Sequence, residues 1–138
     1  MQAPTAAQLQ ANPIVLQAIE QAWIDSQPSD SLLRHEEGGW IFLDTTTGQI
    51  SVRRQTSGGK AAIGLGAPPS VSDSVLVGLF HTHPNPTSEG WEPGPSPQDE
   101  IMDALLGLPD LIRADDGIHV SGPDSRRGGL AGGPGFPP

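Results

Sequence analysis

The sequence predicts a mixed α/β (α+β) domain, and three observations lead there. Two stretches, residues 12–25 and 96–106, carry apolar residues at helical spacing behind starts that contain proline. Five short runs rich in Ile, Val, Leu and Phe, two before and three after the Pro68-Pro69 pair, read as strands. The chain has 138 residues and no cysteine, so it is long enough to bury a core without cross-links. Absence of thiolate also leaves imidazole and carboxylate as its strong metal ligands, which makes the four histidines informative.

Residues 1–11 are polar, Ala- and Gln-rich, and are expected to form a flexible N-terminus. Asn12-Pro13 then reads as a cap followed by proline at the first helical position. Ile14, Val15, Ala18, Ile19, Ala22 and Trp23 fall on one helical stripe, and Pro28 lies beyond its end. Glu36-Glu37-Gly38-Gly39 leads into Trp40-Ile41-Phe42-Leu43, a buried strand, and Thr45 to Gly48 turns it back through Gln49 to Arg54 as a hairpin. Ser57-Gly58-Gly59 reads as a second turn, and Ala61 to Leu65 as a short strand or irregular chain.

Val75 to His83 is the strongest strand in the sequence, interrupted by Gly78 where another backbone is expected to come close. Pro84 ends it, and residues 85–95 form a loop. Ser96-Pro97-Gln98-Asp99 starts a helix whose apolar residues are Ile101, Met102, Leu105 and Leu106. Asp110 to Ala114 and Ile118 to Ser121 flank Asp115-Asp116-Gly117 as a final hairpin. The domain is therefore expected to span residues 12–121, followed by a Gly- and Pro-rich disordered tail over 122–138.

Seven Lys plus Arg against sixteen Asp plus Glu give a net charge of −9, which argues against nucleic acid and against an anionic membrane surface as partners. Neither a standard export signal nor a run of about twenty apolar residues is visible. A cytoplasmic protein is expected, with delivery by a specialised secretion route left open.

His81 and His83 are separated by one residue on a strand, which puts both imidazoles on one face. Two histidines fill half of a tetrahedral zinc shell, so a nearby carboxylate is needed and one position stays open for water or substrate. Asp99 is the candidate. Ser96 to Asp99 also suits a helix cap, and the two roles are compatible, since a cap holds the carboxylate at the mouth of the helix. Hydrolysis needs a base as well, and Glu36 or Glu37 is available, with alternation along the strand aiming at most one of them at the site.

Taken together, Glu36-x-x-Gly39, His81-x-His83-Pro84 and Ser96-x-x-Asp99 resemble the JAMM (JAB1/MPN+) metalloprotease family across about residues 34–121. Within it, the chain looks most like JAB-like domains of bacterial polymorphic toxin and Rhs-type proteins. The resemblance implies a mixed central sheet flanked by helices in a JAB1/MPN-like (cytidine deaminase-like) architecture. It implies one zinc ion held by His81, His83 and Asp99, with Glu36 as general base and Ser96 stabilising the oxyanion. Glu36 is preferred to Glu37 because it gives the Glu-x-x-Gly spacing. The chain departs from the family in a longer connection after the second histidine, residues 84–95. Trp91 and Glu92 in that connection could line a cleft, although packing of Trp91 against the domain is the favoured reading.

The function expected is a zinc-dependent peptidase or isopeptidase acting on a protein or peptide, ubiquitin-like substrates included. The alternatives are a catalytically silent interaction module of the same fold and a toxin-associated domain. His35 and His119 have no family role and are expected to be structural or exposed. Asp103 could support Asp99 from one turn away, but a solvated helix face is the favoured reading.

Overall fold

The computed structural model describes residues 1–55, 57–59 and 66–130. A five-stranded mixed sheet is flanked by helices, with strand order β2-β1-β3-β4-β5. Its elements are α1 (Ala6–Ala11), α2 (Pro13–Asp25), β1 (Gly38–Asp44), β2 (Ile50–Arg54), β3 (Ser74–Thr82), α3 (Pro97–Leu106), β4 (Asp110–Ala114) and β5 (Gly117–Ser121). Strand β3 pairs antiparallel with β1 and parallel with β4, so α3 is the crossover between two parallel strands. The two outer pairs, β1 with β2 and β4 with β5, are antiparallel hairpins. Ala61 to Leu65 lies outside the described residues.

Each face of the sheet has its own core. Leu9, Val15, Ile19 and Ala22 from α1 and α2 pack on Ile41, Val75, Val77, Phe80 and Leu111. Trp40, Phe42, Leu76, Leu79 and Leu108 form the smaller cluster on the other face. Along β3 the alternation changes step. Ile41 of β1 faces Gly78 while Phe42 faces Leu76, so Val77 is an extra residue, a β-bulge. Before the bulge, Val75 and Val77 face α1 and α2; after it Phe80 does, whereas Leu79 shares the opposite face with Leu76. The one-residue shift turns His81 at the end of β3, and His83 just beyond it, toward α3.

Several elements differ from expectation, each for a physical reason. The flexible N-terminus is instead a capped helix: Thr5 Oγ1 accepts from the Gln8 amide at 3.1 Å, and Gln8 Oε1 accepts from the Thr5 amide at 2.9 Å. Its Leu9 is buried and its Cδ1 approaches Gly78, where an added Cβ would lie 2.9 Å away, so a side chain rather than a backbone is the closest neighbour there. Residues 122–130 pack against the domain: Thr5 bridges to Ser125, the Ala6 amide donates to the Asp124 carbonyl, and Arg126 is buried. The part of the expected disordered tail at 131–138 lies outside the described residues.

Ile14, placed on the inner stripe of α2, is exposed, because the stripe that reaches the sheet is Val15, Ile19 and Ala22. On α3, Ile101 and Leu105 are exposed and Asp103 is buried, so the helix is rotated from its expected orientation. Ser57 to Gly59 does not close a free turn. Its backbone bonds to Glu36, with Glu36 N donating to Gly59 O and Gly58 N to Glu36 O, both at 2.8 Å. Among the described residues no helix is long and apolar enough to cross a membrane.

Candidate metal centre

The centre lies where β1 begins, β3 ends and α3 begins. At the mouth of β1, Gly38 pairs with His81, and a Cβ there would sit 2.6 Å from the Phe80 carbonyl oxygen. A Cβ on Gly39 would sit 2.3 Å from the Arg53 carbonyl oxygen, so the two glycines let three strands close tightly. Just before them, the Glu37 carbonyl accepts the amide of Thr82, the residue between the two histidines, at 2.9 Å. Thr82, between them, faces the other way: its Oγ1 accepts the Glu37 amide at 3.0 Å and lies 2.5 Å from Ser26 Oγ at the end of α2.

Three atoms form a small triangle. His81 Nε2 and His83 Nε2 are 3.1 Å apart, and Asp99 Oδ2 lies 3.4 Å from the first and 3.3 Å from the second. Four-coordinate zinc with arms of about 2.0–2.1 Å spaces its ligand atoms about 3.3–3.4 Å apart. Two imidazoles and a carboxylate at this spacing fit one such ion. Glu36 stands beside them, its carboxylate and the two imidazoles offering ligand atoms that all lie within 4.8 Å of one another.

The capping box at α3 supplies the third corner. Ser96 Oγ accepts the Asp99 amide at 3.1 Å, and Asp99 Oδ2 accepts the Ser96 amide at 2.9 Å. The oxygen that faces both histidines is therefore already fixed by a backbone donor. Burial would raise the Asp99 carboxyl, but hydrogen bonds from His81 and His83 outweigh it and hold the group well below the usual carboxylate range.

His81 is anchored from behind, a contact that sequence reasoning missed. Asp110, the first residue of β4, places Oδ1 3.2 Å from His81 Nδ1 and leaves Nε2 to face the centre. Burial alone would keep His81 neutral, yet the charges of Asp110 and Asp99 prevail and raise it well above its ordinary value. Asp110 in turn faces Asp103, whose carboxyl is pushed up to about 8 by burial and by the charge of Asp110. Asp103, only 2 % exposed, faces the acid that anchors His81 and is not a member of a solvated face.

The paired glutamates separate as alternation requires. Glu36 lines the cavity, and burial pushes its carboxyl up to about 7, against the pull of the two histidines. Glu37 turns away, bonded to Arg54 Nη2 at 2.7 Å and to His35 Nε2 at 2.5 Å, with Ser57 donating to it as well. These partners override the effect of burial and hold Glu37 below its ordinary value. His35 is structural, and His119 pairs with Asp116 at 2.7 Å near the surface.

A cavity of about 660 Å³ opens in front of the triangle, lined by Glu36, His81, His83, Ser96 and Asp99 together with Trp91 and Glu92 of the long loop. Trp91 is 42 % exposed and takes no part in either core cluster, so the packing role expected for it is corrected to a cavity wall. No protein-family model matches the chain, and no curated protein or solved structure matches it either.

Proposed function

We propose that the chain is a zinc-dependent peptidase or isopeptidase of the JAMM type, its sheet and helices being a JAB1/MPN-like domain. The observation that carries this reading is the triangle of His81 Nε2, His83 Nε2 and Asp99 Oδ2, with sides of 3.1, 3.3 and 3.4 Å, open toward a cavity and flanked by Glu36. Bound zinc supplies a Lewis acid that brings the pKa of a water to about 7 and polarises a carbonyl.

Each residue then has a defined task. His81, His83 and Asp99 hold the ion. Of the two carboxylates at the centre, Asp99 is held ionised by the imidazoles and suits a ligand, whereas burial raises the Glu36 carboxyl of the metal-free chain, which suits a group that takes up and returns a proton. Glu36 takes a proton from the attacking water and returns it to the leaving amine. Ser96 Oγ accepts from the Asp99 amide with a lone pair, which leaves its hydroxyl proton to donate to the oxygen of the scissile carbonyl. The acidic, phosphate-averse surface suits a protein or peptide substrate, ubiquitin-like fusions among them.

Elemental analysis of the purified chain, with cleavage of a panel of peptides and ubiquitin-like fusions, tests this. Stoichiometric zinc in both the wild type and Glu36→Gln, with cleavage by the wild type alone, is the expected result. Absence of stoichiometric metal, or full activity in Glu36→Gln, contradicts it.

A further inference from the structure

The loop after the second histidine is long, and two contacts within one turn, just before Trp91, tie it to the body of the domain. In its 3-10 turn, Thr87–Glu89, the Glu89 carboxylate receives Arg34 Nη1 at 3.1 Å on each oxygen. Arg34 is itself buried, so this end of the clamp is set in the body of the domain. At the start of the same turn the Thr87 amide and hydroxyl both donate to Asp115 Oδ2 at 3.2 Å, reaching the β4–β5 turn. Gly90 then takes a left-handed conformation, φ 87°, and the chain turns to place Trp91 on the cavity wall.

A half-exposed tryptophan that follows a tied turn and lines the cavity of the candidate centre offers a surface for a ligand side chain. Met102 of α3 and Leu79 of β3 line the same cavity as Trp91, so the lining includes apolar side chains from three elements. Glu92 follows Trp91 directly and lines the same cavity, which puts a carboxylate beside the tryptophan. Such a wall favours an apolar side chain and repels an acidic one.

Resting on the zinc reading above, we propose that Trp91 is the specificity-determining residue of this site: with Met102 and Leu79 it receives an apolar side chain of the peptide next to the scissile bond. The Glu92 carboxylate beside Trp91 makes neutral or basic flanking residues preferred and disfavours an acidic side chain at that position. The Arg34–Glu89 ion pair fixes the turn from which the chain runs through Gly90 to Trp91.

Calorimetric titration of the zinc-loaded chain with amino-acid hydroxamates tests the subsite without needing a substrate. Phenylalanine and leucine hydroxamates should bind about tenfold more tightly than glycine hydroxamate, and aspartate hydroxamate more weakly than glycine. Trp91→Ala should abolish the preference while acetohydroxamate binds as before, and Trp91→Phe should restore most of it. Equal affinities in the wild type, or a preference that survives Trp91→Ala, overturn the subsite alone. Failure to take up zinc, or to bind acetohydroxamate once loaded, overturns the metal reading and the subsite with it.

Discussion

His81 Nε2 faces His83 Nε2 across 3.1 Å, with the two rings inclined at 62°. Two imidazole lone pairs at that distance repel, and two N–H groups would clash, so the pair needs a shared proton or a cation between its nitrogens. The bulge at Val77 is what makes the pair possible, because it moves both histidines from the face covered by α1 and α2 to the face that α3 approaches. Removing Asp99 Oδ2 leaves the histidines without their third corner. Asp99→Ala is therefore expected to weaken zinc binding by more than about a hundredfold, read by competition against a chromogenic chelator; unchanged affinity would exclude Asp99 as a ligand.

Asp110 acts on the same histidine from the opposite side of the ring. Asp110→Leu removes the acceptor at 3.2 Å from His81 Nδ1, and the ring loses both its fixed tautomer and its orientation. A loss of about 10–100-fold in zinc affinity is expected in the same competition assay.

Asp103 gives the metal-free chain a pH dependence of stability. Unfolded, its carboxyl releases a proton near the ordinary value of 3.8, whereas folded it keeps the proton to about 8. Between those values the folded state binds more protons, so stability falls as pH rises, by up to about 1.4 kcal/mol per unit. Asp103→Asn removes this contribution. Urea unfolding of the metal-free protein at pH 5 and pH 8 should show a smaller difference for Asp103→Asn than for the wild type, with the variant the more stable of the two at pH 8.

The approach of β1 to its neighbours depends on Gly39. An alanine Cβ would stand 2.3 Å from the Arg53 carbonyl oxygen and 2.8 Å from Phe80 Cζ, and neither a strand backbone nor a buried ring can withdraw easily. Gly39→Ala is expected to cost about 3 kcal/mol or more in chemical unfolding.

Ser96 caps α3 irrespective of chemistry. Ser96→Ala should lose about 1 kcal/mol in thermal or chemical unfolding, and Ser96→Asp, which keeps an acceptor for the Asp99 amide, should recover most of it.

What the sequence disclosed was chiefly local. Proline and asparagine at the start of α2, and Ser96, Pro97 and Asp99 at the start of α3, announce helix starts through contacts within a few residues, and the observed caps have that form. The spacing of His81 and His83 likewise needs only a strand. The capping box of α1 was equally readable, since Thr5-Ala6-Ala7-Gln8 has the Thr-x-x-Gln pattern, and the polar composition of residues 1–11 obscured it.

Partners supplied by other elements were not legible in that way. Asp110 meets His81 only because β3 and β4 pair in parallel, in a register that sets Ile112 opposite His81. An acid directly before Leu111 and Ile112, at the opening of a buried strand, was the available signal. The orientation of α3 was misjudged because Ile101 and Leu105 are apolar, yet the face that reaches the sheet carries Asp103, whose neighbour Asp110 cannot be inferred from helical periodicity. Trp91 was misassigned for a related reason: a tryptophan in a loop usually packs, and only the fold shows that this one lines a cavity.

The central claim is the ion itself, and zinc titration of the metal-free chain by calorimetry, run beside a His81→Ala/His83→Ala double variant, tests it most directly. One zinc per chain in the wild type, with no binding in a double variant that keeps the wild-type circular dichroism, is the predicted result. No stoichiometric zinc in the wild type, or full binding retained by the double variant, would contradict it.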